Sequence, residues 1–325
     1  MKNSELFRGL ITSAENILIT THTDPDADGI GSQIALGLGL KKMLKNVFCV
    51  NEQLLNKRYS HLDSAQMIES YDSFMQKNIK ELDLMIILDT NSPDRIGENM
   101  QKIIPRCKRV LFIDHHPCPP ELHHLHCVDV KAAATGELLG KMMCDAQMVF
   151  CKEMARALYT AILIDTSSFR YPTVTGETHR FVAKLLETGI TPDESYNEIY
   201  ATKKIQHMKL LGEVLSSAAT NSTENIAWIM VTEEMVKKYS ADIEDTHSFI
   251  NNLLVLSHVK IACMFRSFDH KVKVSLRSRG DVDVGNIAGS FGGGGHNHSA
   301  AFITEGELSQ VISQTVEKLG RILIS

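Results

Sequence analysis

Short apolar runs that end at polar residues recur through the first half of this chain and limit how it can fold. The runs are ILIT, VFCV, LMIILD and RVLFID, and helix-like stretches such as IGSQIALGLGLKKML and IGENMQKII lie between them. Compact runs rich in β-branched residues, alternating with segments whose apolar residues recur every three or four positions, are typical of βαβ units. The pattern therefore predicts an α/β fold around a buried, mainly parallel sheet flanked by helices.

Acidic and histidine residues follow these runs where the predicted strands end. HTDPDAD follows ILIT, Asp89 closes LMIILD, Asp114 closes RVLFID just before His115 and His116, and Asp165 follows the apolar stretch LYTAILI. Taken alone, each cluster is more often a turn or a helix cap. In a parallel sheet, however, ligands bind at the carboxyl ends of the strands, so we expect the clusters to meet in one cleft.

A cleft that gathers so many carboxylates needs cations. Two carboxylates ~4 Å apart repel each other by about 4 kcal/mol at an effective dielectric constant of about 20. Histidine nitrogens and carboxylate oxygens form a ligand set that suits Mn²⁺ and tolerates Mg²⁺, Co²⁺ or Fe²⁺. Two such cations ~4 Å apart activate water and stabilise charge during an in-line displacement at phosphorus. The sequence thus predicts two divalent cations and hydrolytic phosphoryl transfer.

The second half of the chain follows a different pattern. Residues 153–217 are mainly helix-like, whereas from Ile226 onwards the runs IAWIMV, VKIACMF and KVKVSLRS predict strands, followed by GGGGH and a final helix from Glu307. Gly189 and Pro192 indicate a helix end and a helix start. We therefore predict an N-terminal domain over residues 1–190, a helical connector over residues 191–222 and a smaller C-terminal α/β domain over residues 223–325.

The composition of the 325 residues limits the partners. The formal net charge is -5 and the sequence pI is about 6.3, whereas a protein that grips long nucleic acid needs a strongly basic face. The apolar runs are shorter than the ~20 residues that span a membrane, and no secretory signal opens the sequence. Seven cysteines at irregular spacing favour reduced thiols. We expect a soluble, cytoplasmic monomer or homodimer that binds neither membranes nor long nucleic acid.

The glycine run near the C-terminus is a second candidate site. Its backbone N–H groups carry no side-chain obstruction, which suits phosphate binding. Arg277 and Ser278 end a predicted strand just before it, and a guanidinium there can hold a phosphate through two hydrogen bonds. Read in isolation, however, such a run is more often a flexible turn and such an arginine a solvated side chain.

The motifs, taken in order, resemble a known family. HTDPDADGIGS, LDTNSPDRIG, IDHH, LIDTSSFRY and GGGGHNHSAA are similar to the motifs of DHH family phosphoesterases that carry a C-terminal DHH-associated (GGGH) domain. The similarity covers nearly the whole chain. It is strongest to the bacterial branch of oligoribonucleases (nanoRNases) and 3′-phosphoadenosine 5′-phosphate phosphatases.

This resemblance implies a role for each motif residue. His22 and Asp26 would bind one metal, and Asp89 would bridge the two. The other metal would be bound by Asp28, His115 and Asp165. Asp114 would orient its neighbours, and His116 would contact the scissile phosphate or the leaving oxygen. The catalytic set is thus His116, Asp114 and Asp89, and the substrate's nucleotide end would be held by Arg277, Ser278, Gly293, Gly294, Gly295 and His296.

Three positions depart from the family pattern. Gly29 stands where the family often has Ala, Ser167 where it often has Gly, and Phe302 where a Gly commonly follows the alanine pair. None of these changes removes an implied metal ligand, so we expect activity to persist. The shape of the glycine loop beside Phe302 is the feature that they put most in question.

The resemblance implies a manganese-dependent phosphoesterase that hydrolyses nanoRNA and dinucleotides to mononucleotides, and 3′-phosphoadenosine 5′-phosphate to AMP. Alternatives within the enzyme class are a phosphodiesterase for cyclic dinucleotides (c-di-AMP or c-di-GMP) or linear dinucleotides, a polyphosphatase and a single-strand exonuclease. A different class of alternative is a catalytically inactive nucleotide-binding regulator. The histidine and cysteine residues of HHPCPPELHHLHC match no common zinc-finger spacing, and we interpret that segment as a loop.

Overall fold

The computed structural model describes residues 2–77, 79, 81–117 and 125–324, with the backbone alone for Arg58, Glu244, Asp245, His296 and Ile324. The chain divides after Thr202 into two compact units. The segment HHPCPPELHHLHC, interpreted above as a loop, falls partly on residues 118–124, which lie outside the described residues, and its last three residues belong to the strand Leu125–Val128.

A six-stranded parallel sheet forms the centre of the first unit, in the order β3-β2-β1-β4-β5-β6. Its strands are β1 (Asn16–Thr21), β2 (Asn46–Asn51), β3 (Ile68–Ser70), β4 (Leu82–Leu88), β5 (Cys107–Asp114) and β6 (Leu125–Val128). The prediction of a parallel sheet from continuous apolar runs is confirmed, because β1, β4 and β5 are buried on both faces along most of their length.

Helices cover both faces of this sheet. They are α1 (Lys2–Ser13), α2 (Ala27–Lys42), α3 (Tyr71–Met75), α4 (Glu98–Gln101), α5 (Thr135–Asp145), α6 (Lys152–Asp165), α7 (Gly176–Leu186) and α8 (Pro192–Tyr200), with short 3₁₀ turns at Lys57–Tyr59, Pro93–Ile96 and Ile104–Arg106.

Side-chain alternation along β1 assigns its residues to two separate cores. Ile17 and Ile19 pack on the face covered by α2, α5 and α6, whereas Leu18 packs on the opposite face with Phe74 and Met100. Helix α2 is buried along most of its length because it lies between other helices and the sheet. All these contacts hold the first turn of α2 firmly, and that turn carries candidate ligands.

The second unit is built on a mostly antiparallel sheet in the order β11-β12-β10-β9-β8-β7, in which only β8 and β9 pair in parallel. Its strands are β7 (Ala219–Thr220), β8 (Ile226–Val231), β9 (Ile261–Phe268), β10 (Lys271–Ser278), β11 (Gly294–His296) and β12 (Ser299–Glu305). Its helices are α9 (Ile205–Ser216), α10 (Glu233–Tyr239), α11 (Val284–Gly289) and α12 (Leu308–Ile324), with a 3₁₀ segment at Ile243–Val255.

The predicted α/β class with a second, smaller sheet domain is therefore confirmed. In the division after Thr202, α8 belongs to the first unit and α9 to the second. A separate helical connector over residues 191–222 stays a prediction. Within the described part of the chain, no helix combines the length and apolar character needed to cross a membrane.

Candidate metal centre

The sequence motifs of the first unit meet at the carboxyl edge of its sheet. Strand β1 pairs on one side with β2 and on the other with β4, so the chain order of the strands reverses between β1 and β4. Loops that leave neighbouring strands at such a reversal diverge and open a crevice. The loop after β1, Asp89 after β4 and the end of β5 all lie at this crevice.

The loop after β1 places His22 beside the start of α2. Asp26 is the N-cap of that helix, and its Oδ1 accepts hydrogen bonds from the backbone N–H groups of Asp28 at 2.9 Å and Gly29 at 3.4 Å. His22 Nδ1 donates to the carbonyl of Thr23 at 2.8 Å. This bond leaves Nε2 with its lone pair, 3.4 Å from Asp89 Oδ2, in the tautomer that binds a cation.

Asp89 lies at the middle of the cluster in a strained backbone conformation. Its φ is 60°, in the left-handed region that costs a non-glycine residue about 1 to 3 kcal/mol, and its Oδ1 accepts from Thr135 Oγ1 at 3.0 Å. Burial, followed by the charges of Asp28 and Asp26, raises the pKa of Asp89 well above its usual value. The ionised form therefore requires positive charge from outside the described side chains.

Asp28 is held by the start of another helix. Its Oδ2 accepts from the N–H of Thr135 at 2.7 Å and its Oδ1 from the N–H of Gly136 at 2.8 Å, both in the first turn of α5. A helix N-terminus favours a carboxylate at this place. Burial nevertheless dominates and raises the pKa of Asp28, against the lowering effect of His115.

His115 and Asp165 form the side of the cluster nearest Asp28. His115 Nδ1 donates to the carbonyl of Ala132 at 3.2 Å, and Nε2 lies 3.2 Å from Asp165 Oδ2 and 3.9 Å from Asp28 Oδ2. Nε2 is buried and has no hydrogen-bond partner, as expected for a nitrogen that coordinates a cation. Burial and the charge of Asp28 raise the pKa of Asp165 to about 8.

Asp114 holds the second histidine of the pair. Its Oδ1 accepts from His116 Nδ1 at 2.7 Å and from the N–H of His115 at 2.9 Å, while its Oδ2 accepts from Asn91 Nδ2 at 2.8 Å. Burial alone would raise the pKa of Asp114, but the hydrogen bond and charge of His116 outweigh it and the pKa is lowered. Asp114 therefore stays ionised without a cation.

Three groups of side chains present ligand atoms within 4.8 Å of one another. They are His22, Asp26 and Asp89; Asp28, His115 and Asp165; and Asp89, His115 and His116. The first two groups correspond to the sets expected for the two cations, and Asp89 belongs to two of the three. The crowded carboxylates and the unpartnered His115 Nε2 fit divalent cations at these places. The individual ligand and catalytic roles stay predictions.

The residues that hold the candidate ligands were not singled out from the sequence. Thr135 and Gly136 lie far from Asp28 in the chain, and an added Cβ on Gly136 would come within 2.7 Å of Ala161 Cβ and 3.2 Å of Asp28 Oδ1. Asn91 also binds the carbonyl of Pro117 at 3.0 Å. The only local indication of a role for Asn91 was its position, two residues after the strand-end Asp89 in the sequence DTN.

The candidate substrate residues lie in the second unit. Arg277 Nη1 donates to the carbonyl of Leu276 at 3.0 Å, and Ser278 Oγ donates to the carbonyl of Val282 at 2.6 Å. His296 is described by its backbone in β11, opposite Ser299. A role in binding substrate stays a prediction for Arg277, Ser278, Gly293, Gly294, Gly295 and His296.

The fold of the second unit itself requires glycine at two positions of the glycine run. A Cβ on Gly293 would lie 2.2 Å from the carbonyl oxygen of Ala301, and one on Gly295, whose φ is +147°, would lie 2.4 Å from that of Ser299. The N–H of Gly293 donates to the carbonyl of Ala288, in the last turn of α11. The run is thus an ordered strand and turn, and two of its glycines are required by the close approach of β12.

Comparison with known proteins agrees with the motifs. The sequence model of the DHH family, N-terminal domain, matches residues 16–162, and that of the DHHA1 domain matches residues 225–321. The bifunctional oligoribonuclease and PAP phosphatase NrnA of Thermus thermophilus is 30% identical over 302 residues, which cover 93% of this chain and 88% of that protein. The chain belongs to the DHH family.

Two further DHH relatives extend the similarity. The bifunctional oligoribonuclease and PAP phosphatase NrnA of Bacillus subtilis is 26% identical over 300 residues, covering 90% of each chain. The crystal structure of an exopolyphosphatase-related protein from Bacteroides fragilis superposes with a TM-score of 0.90 at 28% identity, covering 100% of this chain and 98% of that one. The similarity to this protein therefore covers both units.

The three departures from the DHH pattern have local explanations. A Cβ on Gly29 would lie 2.3 Å from Thr21 Oγ1, so the threonine of this chain excludes alanine there unless it moves. Ser167 begins a left-handed turn with a φ of 50°, and its Oγ and carbonyl accept from Arg170 at 2.7 Å. Phe302 is buried and stacks on Phe291 with the ring centroids 4.3 Å apart.

Proposed function

We propose that the chain is a divalent-metal-dependent phosphoesterase that hydrolyses short oligonucleotides to mononucleotides and 3′-phosphoadenosine 5′-phosphate to AMP. The observation that carries this proposal is the set of carboxylates and histidines gathered at the carboxyl edge of the parallel sheet, with ligand atoms within 4.8 Å of one another in each group. The names of the Thermus and Bacillus relatives support the substrate class.

The mixed nitrogen and oxygen donors suit Mn²⁺, which is the cation we propose. His22, Asp26 and Asp89 would hold one cation, and Asp28, His115 and Asp165 the other, with Asp89 shared. When bound, the cations supply positive charge that activates water and stabilises the transition state at phosphorus. The same charge would offset the burial and the repulsion between carboxylates that raise the pKa of Asp89 and Asp165.

In this proposal, His116 donates a proton to the leaving group. The carboxylate of Asp114 accepts from its Nδ1 at 2.7 Å, which orients the imidazole. As the oxygen of water bonds to phosphorus, the bond from phosphorus to the ester oxygen breaks. When it carries a proton on Nε2, His116 would donate that proton to the leaving oxygen, and the proton released by the attacking water would restore it.

The second unit would supply the binding site for the nucleotide end. The Arg277 guanidinium and the N–H groups of the glycine run suit a terminal phosphate. Arg277→Ala should raise KM for a 5′-phosphorylated dinucleotide by about tenfold with little change in kcat, as expected for the loss of a binding contact. Arg279→Ala is the matched control, since Arg279 is exposed and bonds the carbonyl of Leu256. Equal effects of the two variants would contradict the assignment.

A substrate panel tests the whole proposal. The purified chain would be assayed with Mn²⁺, and with a chelator, against an RNA dinucleotide, a long single-stranded RNA, 3′-phosphoadenosine 5′-phosphate and cyclic di-AMP. We expect the dinucleotide and 3′-phosphoadenosine 5′-phosphate to be hydrolysed fastest, and the chelator to stop both reactions. A preference for the long RNA or the cyclic dinucleotide would overturn the proposed substrate class. Absence of hydrolysis with every cation would favour the nucleotide-binding regulator.

A further inference from the structure

A pocket opens in the first unit beside the loop that carries His22 and Asp26. Its volume is about 310 Å³, which is near the lower end of the range for small-molecule sites. One wall is the loop after β1, and the opposite wall is the segment that follows β2. The lining residues are His22, Thr23, Asp24, Pro25, Asp26, Asn51, Glu52, Gln53, Leu54, Leu55, Asn56 and Tyr59.

The base of the pocket is rigid because its buried polar groups are already paired. Asn51 and Gln33 exchange two amide hydrogen bonds of 3.0 Å each. The carboxylate of Glu52 accepts from Asn99 Nδ2 at 2.8 Å and from the N–H of Met100 at 2.9 Å. These bonds fix the segment after β2, so it presents a preformed surface to a ligand.

The other wall, which is the loop after β1, is held by the same stretch of chain that Glu52 contacts. The N–H of Thr23 donates to the carbonyl of Arg95 at 2.7 Å. Arg95 lies only a few residues before Asn99 and Met100, which donate to Glu52. Both walls are therefore anchored on residues 95–100. The distance between the walls is fixed by the fold and not by the ligand.

The chemistry of the lining favours an uncharged ligand group over a phosphate. Among the described lining residues there is no lysine or arginine, whereas Asp24, Asp26 and Glu52 are acidic. Unscreened carboxylates repel a phosphate, which has to lie instead at the cation ligands His22 and Asp26. The remainder of a substrate bound at those ligands is what can occupy the pocket.

Two side chains of the segment after β2 are still available for contact. Leu54 is 73% exposed, which leaves an isobutyl group in water beside the candidate metal centre. Gln53 is exposed and has no hydrogen-bond partner among the described residues. An apolar surface next to a free amide is complementary to a nucleobase, which offers a flat face and an edge of hydrogen-bond donors and acceptors.

We propose that this pocket binds the nucleoside that flanks the scissile phosphate, with Leu54 against the face of the base and the Gln53 amide at its edge. The inference rests on the proposed function, because it places the scissile phosphate at His22 and Asp26. It makes Leu54 and Gln53 residues that determine KM and base preference. The volume admits one nucleoside.

Leu54→Ala and Gln53→Ala test the pocket, with Leu44→Ala as the matched control. Leu44 is 89% exposed, follows the C-cap of α2 and is not among the residues that line the pocket. For an RNA dinucleotide with Mn²⁺, Leu54→Ala should raise KM by about 5- to 10-fold, as expected for the loss of one apolar contact of about 1 kcal/mol or slightly more. Gln53→Ala should change the ratio of rates between adenine and uracil dinucleotides. Leu44→Ala should change neither.

Two further measurements separate failure of the pocket from failure of the proposed function. Bis(p-nitrophenyl) phosphate has no nucleoside, so all three variants should hydrolyse it at the wild-type rate. Titration of the Mn²⁺-loaded chain with AMP by calorimetry should show weaker binding to Leu54→Ala than to Leu44→Ala. If neither ester is hydrolysed by the wild type, the proposed function fails and the AMP titration alone decides the pocket. Equal AMP affinity and equal dinucleotide KM in the two leucine variants would overturn the inference.

Discussion

The two ends of strand β4 carry aspartates whose pKa values are shifted in opposite directions. Asp83, near the amino end, accepts from Lys108 Nζ at 2.9 Å and from the N–H groups of Glu15 and Asn16. The hydrogen bond from Asn16, followed by that from Lys108, lowers the pKa of Asp83 to about 2. Asp89, just past the carboxyl end, is buried among other carboxylates, which raises its pKa. The same residue type is thus a paired surface anion at one edge of the sheet and an unneutralised group at the other.

This contrast shows that the carboxylates which destabilise the metal-free fold are concentrated at the carboxyl edge of the sheet. Among the described residues, no lysine or arginine forms an ion pair with Asp28, Asp89 or Asp165, whereas Glu15, Glu81 and Asp83 at the amino edge all have lysine partners. Strand order alone does not explain the difference, since both edges receive loops of the same sheet. These three carboxylates at the carboxyl edge have no lysine or arginine ion-pair partner among the described side chains, which is the arrangement that favours function over stability.

The largest effect is expected from neutralising the shared aspartate. Asp89→Asn keeps the size of the side chain but removes the charge that both cations would share, so kcat/KM for an RNA dinucleotide should fall by about a thousandfold or more. Steady-state kinetics and metal content by atomic spectroscopy would be measured together. Asp72→Asn, on the exposed first turn of α3, should behave like the wild type. An Asp89→Asn protein with full metal content and activity would refute the assignment.

Metal binding should stabilise the chain in a way that depends on pH. The pKa of Asp165 is raised to about 8, so the metal-free chain has a stabilising contribution that is complete below the unfolded pKa of 3.8 and is lost as pH rises through about 8. Mn²⁺ replaces the proton, so its gain in Tm should be larger at about pH 8 than at about pH 6. At a hundredfold excess over Kd the gain corresponds to about 2.7 kcal/mol.

Thermal unfolding with a chelator and with Mn²⁺, at both pH values, measures this effect. Asp165→Asn removes the titrating group and serves as the control, since its metal-free form should lose less stability with rising pH. A gain in Tm that is equal at both pH values in the wild type would show that the cation does not compete with protons at the cluster.

The fit between Gly29 and Thr21 predicts a smaller, purely steric effect. Gly29→Ala brings a methyl group against Thr21 Oγ1 and should cost about 1 to 3 kcal/mol in the free energy of unfolding, as overpacking does. Thr21 Oγ1 is buried and has no hydrogen-bond partner, so removing it should cost little. The double variant Gly29→Ala with Thr21→Ala should therefore be more stable than Gly29→Ala alone. Additive losses in urea unfolding would disprove the coupling.

The smallest effect is expected at the amino edge. Asp83 is near the surface, and its ion pair with Lys108 is screened by solvent, so Asp83→Asn should cost less than about 1 kcal/mol. Because the folded pKa is lowered, this contribution is present above the unfolded pKa of 3.8 and is lost as pH falls through about 2. Urea unfolding at neutral and acidic pH should show the variant and the wild type converging in acid. Glu81→Gln, whose partner distance to Lys108 is 3.5 Å, is the comparison.

The sequence carries the parts of this site that local pattern determines. Strands β1, β4 and β5 could be predicted because they are buried on both faces and therefore continuously apolar. The candidate ligands of the first three motifs could be predicted because they follow those strands directly, whereas Asp165 ends helix α6. The groups that hold the ligands could not. Thr135 and Gly136 reach Asp28 through the packing of α5 against α2, and no local pattern records that contact.

Backbone conformation was the other feature that the sequence did not reveal. Ser167, Ser168 and Phe169 all have φ values between 50° and 63°, which non-glycine residues rarely adopt. The turn persists because Thr166 Oγ1 accepts from the N–H of Phe169 at 2.9 Å and Arg170 binds Ser167. These contacts are visible only in the folded chain, as is the pocket beside His22, whose two walls come from different βα connections.

The strand order has a consequence for how the chain reaches its native state. Strand β1 pairs with β2 through Ile17 and Val47, and with β4 through Ile17 and Leu84, so the central pairings close long loops. Topologies with such distant pairings fold slowly, because the loop entropy is lost before the contacts are gained. We therefore expect the candidate cation ligands, drawn from residues 22 to 165, to come together only once the sheet is complete, so that a nascent chain should have no high-affinity site with which to bind metal early.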